Sequence, residues 1–321
     1  MTAPVDRSTS WPYADGEPQR FSYARADHPT GVEAEAELGR LDGGHALLFP
    51  SGMAAVTTAV LTLLRPGGTV ALAAGAYYGH RALLDHLARW GVRCVEFDQT
   101  GPPPAGADLV LLESPANPLL TMPDLELAAA HPAPVVCDAT VATPLALRPL
   151  EHGCELALHS ATKVLAGHDD VLAGVLVARD EELHARLHET RRLTGMVASP
   201  DSAWLVLRGL KTLALRVERQ TATGQELARQ LAAHQAVRTV RYPGFGCLLS
   251  FDVADGDAAR RVETATRLIV NATSLGGTVS KLEARHRWEG DRVPTGLLRL
   301  SVGLEDADAL WADLEQALAR V

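Results

Sequence analysis

Three short apolar runs in this chain each close on a cluster of polar residues, and that repetition limits the fold more than any other feature. Val135-Val136-Cys137 ends in Asp138, and Leu156-Ala157-Leu158-His159 ends in Ser160-Ala161-Thr162-Lys163. Leu109-Val110-Leu111-Leu112 ends in Glu113-Ser114. Runs this short, apolar on consecutive positions, fit strands covered on both faces, as parallel strands are. Residues 69–73 and 171–177 add two more apolar runs, and 92–97 alternates. Helical stripes lie between them. One carries Val56, Val60, Leu63 and Leu64, with Ser51 as its N-cap and Arg65-Pro66-Gly67-Gly68 as its stop. Strands alternating with helices predict an α/β fold on a mostly parallel sheet. Such sheets place ligands at the carboxyl ends of their strands, where the polar clusters stand.

The 321 residues suffice for one large α/β domain and a smaller one. A net charge of −9 and the absence of any Lys/Arg-rich run argue against a nucleic-acid partner. No uncharged run reaches the length of a membrane span, and the N-terminus has no apolar leader. Cys94, Cys137, Cys154 and Cys247 are scattered without C-x-x-C spacing, so reduced thiols in a cytoplasmic protein are expected. His152, Cys154 and His159 do not have the spacing of a zinc site, and no metal is expected.

A lysine flanked by two hydroxyls at one strand end, and an acid at another, suit a single cofactor. The hydroxyls suit a phosphate, Lys163 an aldehyde, and Asp138 a pyridinium nitrogen. That cofactor is pyridoxal phosphate (PLP). A helix that starts on Ser51-Gly52-Met53 offers a further anion site through its free N–H groups.

The motifs resemble those of the Cys/Met-metabolism PLP enzymes, the cystathionine γ-synthase/γ-lyase family. Asp138-Ala139-Thr140-Val141-Ala142-Thr143-Pro144 is similar to its D-x-T-x-A-T-P, and His159-Ser160-Ala161-Thr162-Lys163 to its H-S-x-T-K. Further likeness lies in Tyr23-Ala24-Arg25, Ser51-Gly52-Met53-Ala54-Ala55, Tyr78-Gly79, and Ser114-Pro115-Ala116-Asn117-Pro118. It continues in Leu207-Arg208-Gly209-Leu210-Lys211-Thr212-Leu213, Ser274-Leu275-Gly276-Gly277 and Arg299-Leu300-Ser301-Val302-Gly303. The likeness is closest to the shorter γ-lyase-like branch.

The resemblance implies PLP-dependent transferase fold type I, with a seven-stranded sheet. It implies Lys163, Tyr78 and Asp138 as catalytic residues, the Tyr78 ring stacking on the cofactor. Ser51, Gly52, Met53, Asn117, Thr140, Ser160 and Thr162 would hold the cofactor, with Tyr23 and Arg25 reaching in from a second subunit. Arg299, with Ser274 nearby, would take the substrate's α-carboxylate. Departures from the pattern are His28 for Asn, Ala139 for Asn, His80 where relatives often carry Gly or Cys, and Val279 where cystathionine-using members often carry Glu.

The domains expected are an arm (1–22), a large PLP-binding domain (23–200), a linking helix (201–234) and a small α/β domain (235–321). The expected activity is cleavage of the Cγ–S bond of a sulfur amino acid. L-cystathionine is favoured because Arg285-His286-Arg287-Trp288 offers two cations, Arg285 and Arg287, for a distal carboxylate. The alternatives are γ-replacement on an activated homoserine, methionine γ-lysis, and a catalytically silent scaffold. Active sites shared between subunits imply a homodimer or homotetramer.

Overall fold

The structure is a computed structural model and describes residues 4–321. Seven strands build one sheet: β1 (His45–Phe49), β2 (Thr69–Ala73), β3 (Arg93–Phe97), β4 (Leu109–Glu113), β5 (Val135–Asp138), β6 (Leu156–His159) and β7 (Gly174–Ala178). Their order is β1-β7-β6-β5-β4-β2-β3. β7 pairs antiparallel with both neighbours, and the remaining pairs are parallel. β4, β5, β6 and β7 are buried at every position, as their unalternating apolar sequence requires. Alternate residues feed two cores on opposite faces: Leu47 and Phe49 face one, Ala46 and Leu48 the other.

Helices cover both faces. They are α1 (Pro29–Asp42), α2 (Gly52–Leu63), α3 (Tyr78–Leu87), the short α4 (Leu125–Ala129) and α5 (Thr143–Ala146), then α6 (Glu181–Thr194) and α7 (Pro200–Leu210). His28 caps α1: its Nδ1 accepts the Gly31 N–H at 3.0 Å, which is how histidine fills a position where asparagine was the pattern. The N-terminal segment lies against the body through an Arg7–Asp201 ion pair and a bond from the Asp6 N–H to Thr30 Oγ1.

The second sheet follows α8 (Leu213–Ala233). Its strands are β8 (Thr239–Arg241), β9 (Leu248–Asp252), β10 (Val270–Asn271), β11 (Lys281–Ala284) and β12 (Leu297–Ser301), in the order β10-β11-β12-β9-β8 and mostly antiparallel. α9 (Gly256–Ala265) and α11 (Ala307–Leu318) pack on it, and α10 (His286–Glu289) is a single turn.

Three local expectations are corrected. The stretch 202–234 is two helices, because the chain turns at Lys211-Thr212 before α8 begins. The spacing of Leu310, Leu314, Leu318 and Val321 predicts one helical face through Val321, but the helix ends at Leu318. The run from 171 enters the sheet only at Gly174, where a side chain would strike the Ser51 carbonyl.

Candidate active site

The carboxyl ends of β4, β5 and β6 open into a cleft of about 990 Å³, mouth included. Asp138 closes β5 there. Its Oδ1 accepts from the Thr140 N–H at 3.0 Å and from the Thr140 hydroxyl, which fixes the carboxylate plane. Thr140 Oγ1 also takes the Ser160 N–H at 2.7 Å, tying the β5 end to the lysine turn.

Lys163 stands in that turn after β6. Its Nζ donates to Ser274 Oγ at 2.9 Å. Burial first, then the nearby charges of Arg299 and Lys281, hold its amine below the usual lysine range. A neutral amine is the form that can attack a carbonyl or take a proton.

The start of α2 faces the same cleft. Ser51 Oγ accepts the Ala54 N–H, and the Ser51 carbonyl accepts that of Ala55. The N–H groups of Gly52 and Met53 therefore have no acceptor within the helix. A Cβ on Gly52 would lie 3.0 Å from the Ser160 Cβ, so glycine is what lets the helix start approach the lysine turn. Thr162 also lines the cleft, but its hydroxyl donates to the Ala173 carbonyl at 3.1 Å and takes the Ala173 N–H at 3.0 Å. It braces the turn against the approach to β7.

Opposite them, Arg299 on β12 donates to Asn117 Oδ1 (3.1 Å), the Ser274 carbonyl (3.2 Å) and Glu283 Oε2 (2.9 Å). Glu283 Oε2 accepts from Arg285 Nη1 as well, at 2.7 Å, and Arg285 Nη2 reaches Glu289 at 2.6 Å. All four side chains are almost fully buried. Buried charges persist when paired in this way.

The structure thus brings Ser51, Gly52, Met53, Tyr78, Asn117 and Asp138 to one cleft. Thr140, Ser160, Thr162, Lys163, Ser274, Arg285 and Arg299 complete it. Arg287 is a correction: it does not line the cleft, because its guanidinium pairs with buried Glu263 behind β11. Arg285 does line the cleft and is 4% exposed. Tyr23 and Arg25 stand outside their own chain's cleft, with Arg25 over the Tyr23 ring and bonded to the Arg192 carbonyl.

Three cleft residues, Glu113, Tyr77 and His80, and Glu283, which pairs with Arg285 and Arg299, had no role assigned from the sequence. Glu113 is buried at the end of β4, and burial, then the Asp138 charge, push its carboxyl well above the usual range. Its Oε2 accepts the Tyr77 N–H at 2.6 Å. The Tyr77 ring packs on Tyr78 at 4.7 Å. His80 places Nε2 3.4 Å from Asp138 Oδ2, and burial, opposed by that carboxylate, holds its imidazole below the usual histidine range. Glu113 carries the same strand-end signature as Asp138 and was readable. Glu283 was not, since only the pairing of β11 with β12 sets it against Arg299.

The donor set fits pyridoxal phosphate: a neutral-prone lysine, a carboxylate for a ring nitrogen, and free N–H groups at a helix start for a phosphate. Fold and cleft together define a PLP-dependent enzyme of fold type I. Residues 1–319 match the family described as Cys/Met metabolism PLP-dependent enzyme. The chain belongs to that family. It is 38% identical to a putative cystathionine gamma-lyase of Streptomyces coelicolor, over 93% of this chain and 83% of the relative. It is 41% identical to an L-methionine gamma-lyase of Streptomyces avermitilis, over 98% and 84%. The solved structure of metB from Corynebacterium glutamicum superposes with a TM-score of 0.96 at 33% identity, covering 99% of this chain and 93% of that one. Among the described residues, no helix is long and apolar enough to cross a membrane.

Proposed function

We propose that this enzyme cleaves the Cγ–S bond of a sulfur amino acid, with L-cystathionine as its preferred substrate. The observation that carries the choice is Arg285. It lines the same cleft as Lys163 and Arg299; Glu283 and Glu289 hold its two Nη groups, and its Nε is buried without a hydrogen-bond partner among the described residues. A second guanidinium beside the one for the α-carboxylate suits a substrate with a carboxylate at each end. Bound pyridoxal phosphate would supply the electron sink for bonds at the substrate's α-carbon.

The residues have separate tasks in this reading. Lys163 Nζ moves protons at Cα and Cβ. Asp138 would hold a proton on the ring nitrogen, and Tyr78 would cover the ring face. Ser51, Gly52, Met53, Ser160 and Thr162 would hold the phosphate and Asn117 would meet the ring oxygen, while Thr140 keeps Asp138 aligned. Arg299 and Ser274 orient the α-carboxylate. Tyr23 and Arg25 act from a second subunit, so the assembly is at least a homodimer, placed in the cytoplasm. The chain divides into an arm (1–22), a large domain (23–200), a linking segment (201–234) and a small domain (235–321).

The test compares release of 2-oxobutanoate from cystathionine and from methionine, with and without a thiol acceptor. The expected kcat/KM is higher for cystathionine. Arg285→Lys, which keeps the charge but loses the planar fork, is expected to raise KM for cystathionine roughly tenfold and leave methionine unaffected. Methionine as the better substrate, with Arg285→Lys neutral on both, would overturn the choice. Product formation only when a thiol is supplied would assign replacement instead.

A further inference from the structure

Three residues of the cleft come from separate segments: Lys163 from the turn after β6, Ser274 from the loop before β11, and Arg299 from β12. One helix, α8, grips the backbone just beyond each of them. Arg216 Nη1 donates to the Val164 carbonyl at 2.7 Å. Its Nη2 donates to the Leu165 carbonyl at 3.1 Å and the Gly209 carbonyl at 2.8 Å. Its Nε reaches Thr212 Oγ1 at 3.1 Å. Gln220, one turn further along α8, donates to the Gly277 carbonyl at 2.9 Å and the Val302 carbonyl at 3.0 Å.

Both side chains are buried, Arg216 at 4% and Gln220 at 0% exposure. Gln220 Oε1 has no partner among the described residues, so the side chain's polar function is donation to those two carbonyls. Arg216 has no carboxylate partner either among the described residues; three backbone carbonyls and the Thr212 hydroxyl take its donors. Gly167, at φ 70°, leaves room for it, since a Cβ there would fall 1.8 Å from Nη1. A buried guanidinium met by neutral oxygens and no carboxylate is costly to keep for packing alone.

We propose that Arg216 and Gln220 are positioning residues, which set the distance between Lys163 on the large sheet and the Ser274–Arg299 pair on the small one. Residues 216 and 220 share one helix face, at i and i+4. That face is a rigid spacer between the two sheets: Arg216 fixes the lysine side and Gln220 the carboxylate-binding side. Neither side chain lines the cleft. Gln220 acts on amino-acid binding through Ser274 and Arg299. Gln220 touches none of the segments assigned to the phosphate and the pyridine ring, which are α2, the β5 end and the Ser160–Thr162 turn; its partners are Gly277 and Val302.

The experiment uses the cofactor-loaded enzyme and titrates L-alanine, which carries the α-amino and α-carboxylate groups but no sulfur. Binding is read as the change in the bound cofactor's visible absorbance, so the result does not depend on the substrate proposed above. Gln220→Leu is expected to raise the half-saturating L-alanine concentration roughly tenfold, two buried hydrogen bonds being lost. Cofactor retention on dialysis should stay at the wild-type level. In a Ser274→Ala background the same change should have a smaller effect, because both act on one placement. Gln220→Leu with wild-type half-saturation overturns the proposal, as do effects that multiply independently in the double variant. If Gln220→Leu does not fold, Gln220→Met with Arg216→Lys carries the same comparison. Loss of cofactor in step with weakened L-alanine binding would mark a structural role only and also overturn it.

Discussion

Ser274 adopts φ 81°, a left-handed conformation that side chains rarely take. It is held there from two directions: its hydroxyl accepts from Lys163 Nζ and its carbonyl accepts from Arg299. The strained residue is thus the hinge point between the amine and the guanidinium. Strain of this kind amounts to about 1 kcal/mol or more. Ser274→Gly and Ser274→Ala both remove the hydroxyl, but only glycine relieves the backbone. We expect the glycine variant to be more stable than the alanine one by about 1 kcal/mol in denaturant unfolding, with both reduced in turnover. Equal stabilities would show that the loop relaxes when the side chain is lost. The sequence displayed Ser274 as part of a motif but carried no sign of its dihedral angle.

At the scale of elements, α1 and β6 are joined by a buried pair. His159 Nε2 lies 2.9 Å from Asp42 Oδ2, and both side chains are fully buried. Burial opposes a charge on His159, yet the Asp42 carboxylate and its hydrogen bond outweigh it and raise the imidazole above its usual range. A histidine raised on folding contributes stability that is fully present below the unfolded value, near 6.5. That contribution is lost as pH rises through the folded value. Asp42→Asn is expected to cost about 3 kcal/mol or more under mildly acidic conditions, where a buried pair is broken. It should cost less in alkaline solution. Denaturant midpoints measured across that range check the sign; a cost that grows with pH would contradict it. His159 precedes Ser160 directly, so this pair also anchors the turn that carries Lys163.

For the whole molecule, the cleft of one chain contains every proposed site residue except Tyr23, Arg25 and Arg287. Arg287 is spent on Glu263 within the chain. Tyr23 is half exposed, and Arg25 sits over its ring rather than over any cleft of its own subunit. An arginine placed this way suits a phosphate carried by a neighbour. Mixing Arg25→Ala with Lys163→Ala subunits, each inactive by itself, is expected to restore activity through mixed dimers with one native site. Normal activity of Arg25→Ala alone, or no recovery after verified subunit exchange, would remove the shared site.

The sequence by itself determined the sheet and its active end. Short unalternating apolar runs leave little choice but buried strands, and the polar residues that close them must gather at one edge. Asp138 and Lys163 were legible for that reason, and Glu113, at the same kind of strand end, was visible there without a role assigned to it. So was the α2 cap, because capping is a local contact. What only the tertiary structure decided lies in long-range pairing. The antiparallel insertion of β7 between β6 and β1 has no local signature, since a strand's direction is set by where the chain returns. β11 was hidden in a short polar segment, yet its pairing with β12 sets Glu283 between Arg285 and Arg299 and turns Arg287 away. A sequence shows that these arginines are close along the chain. Each is paired with a buried carboxylate, Arg285 and Arg299 with Glu283 and Arg287 with Glu263, and only the strand pairing decides which of these pairs stands at the cleft.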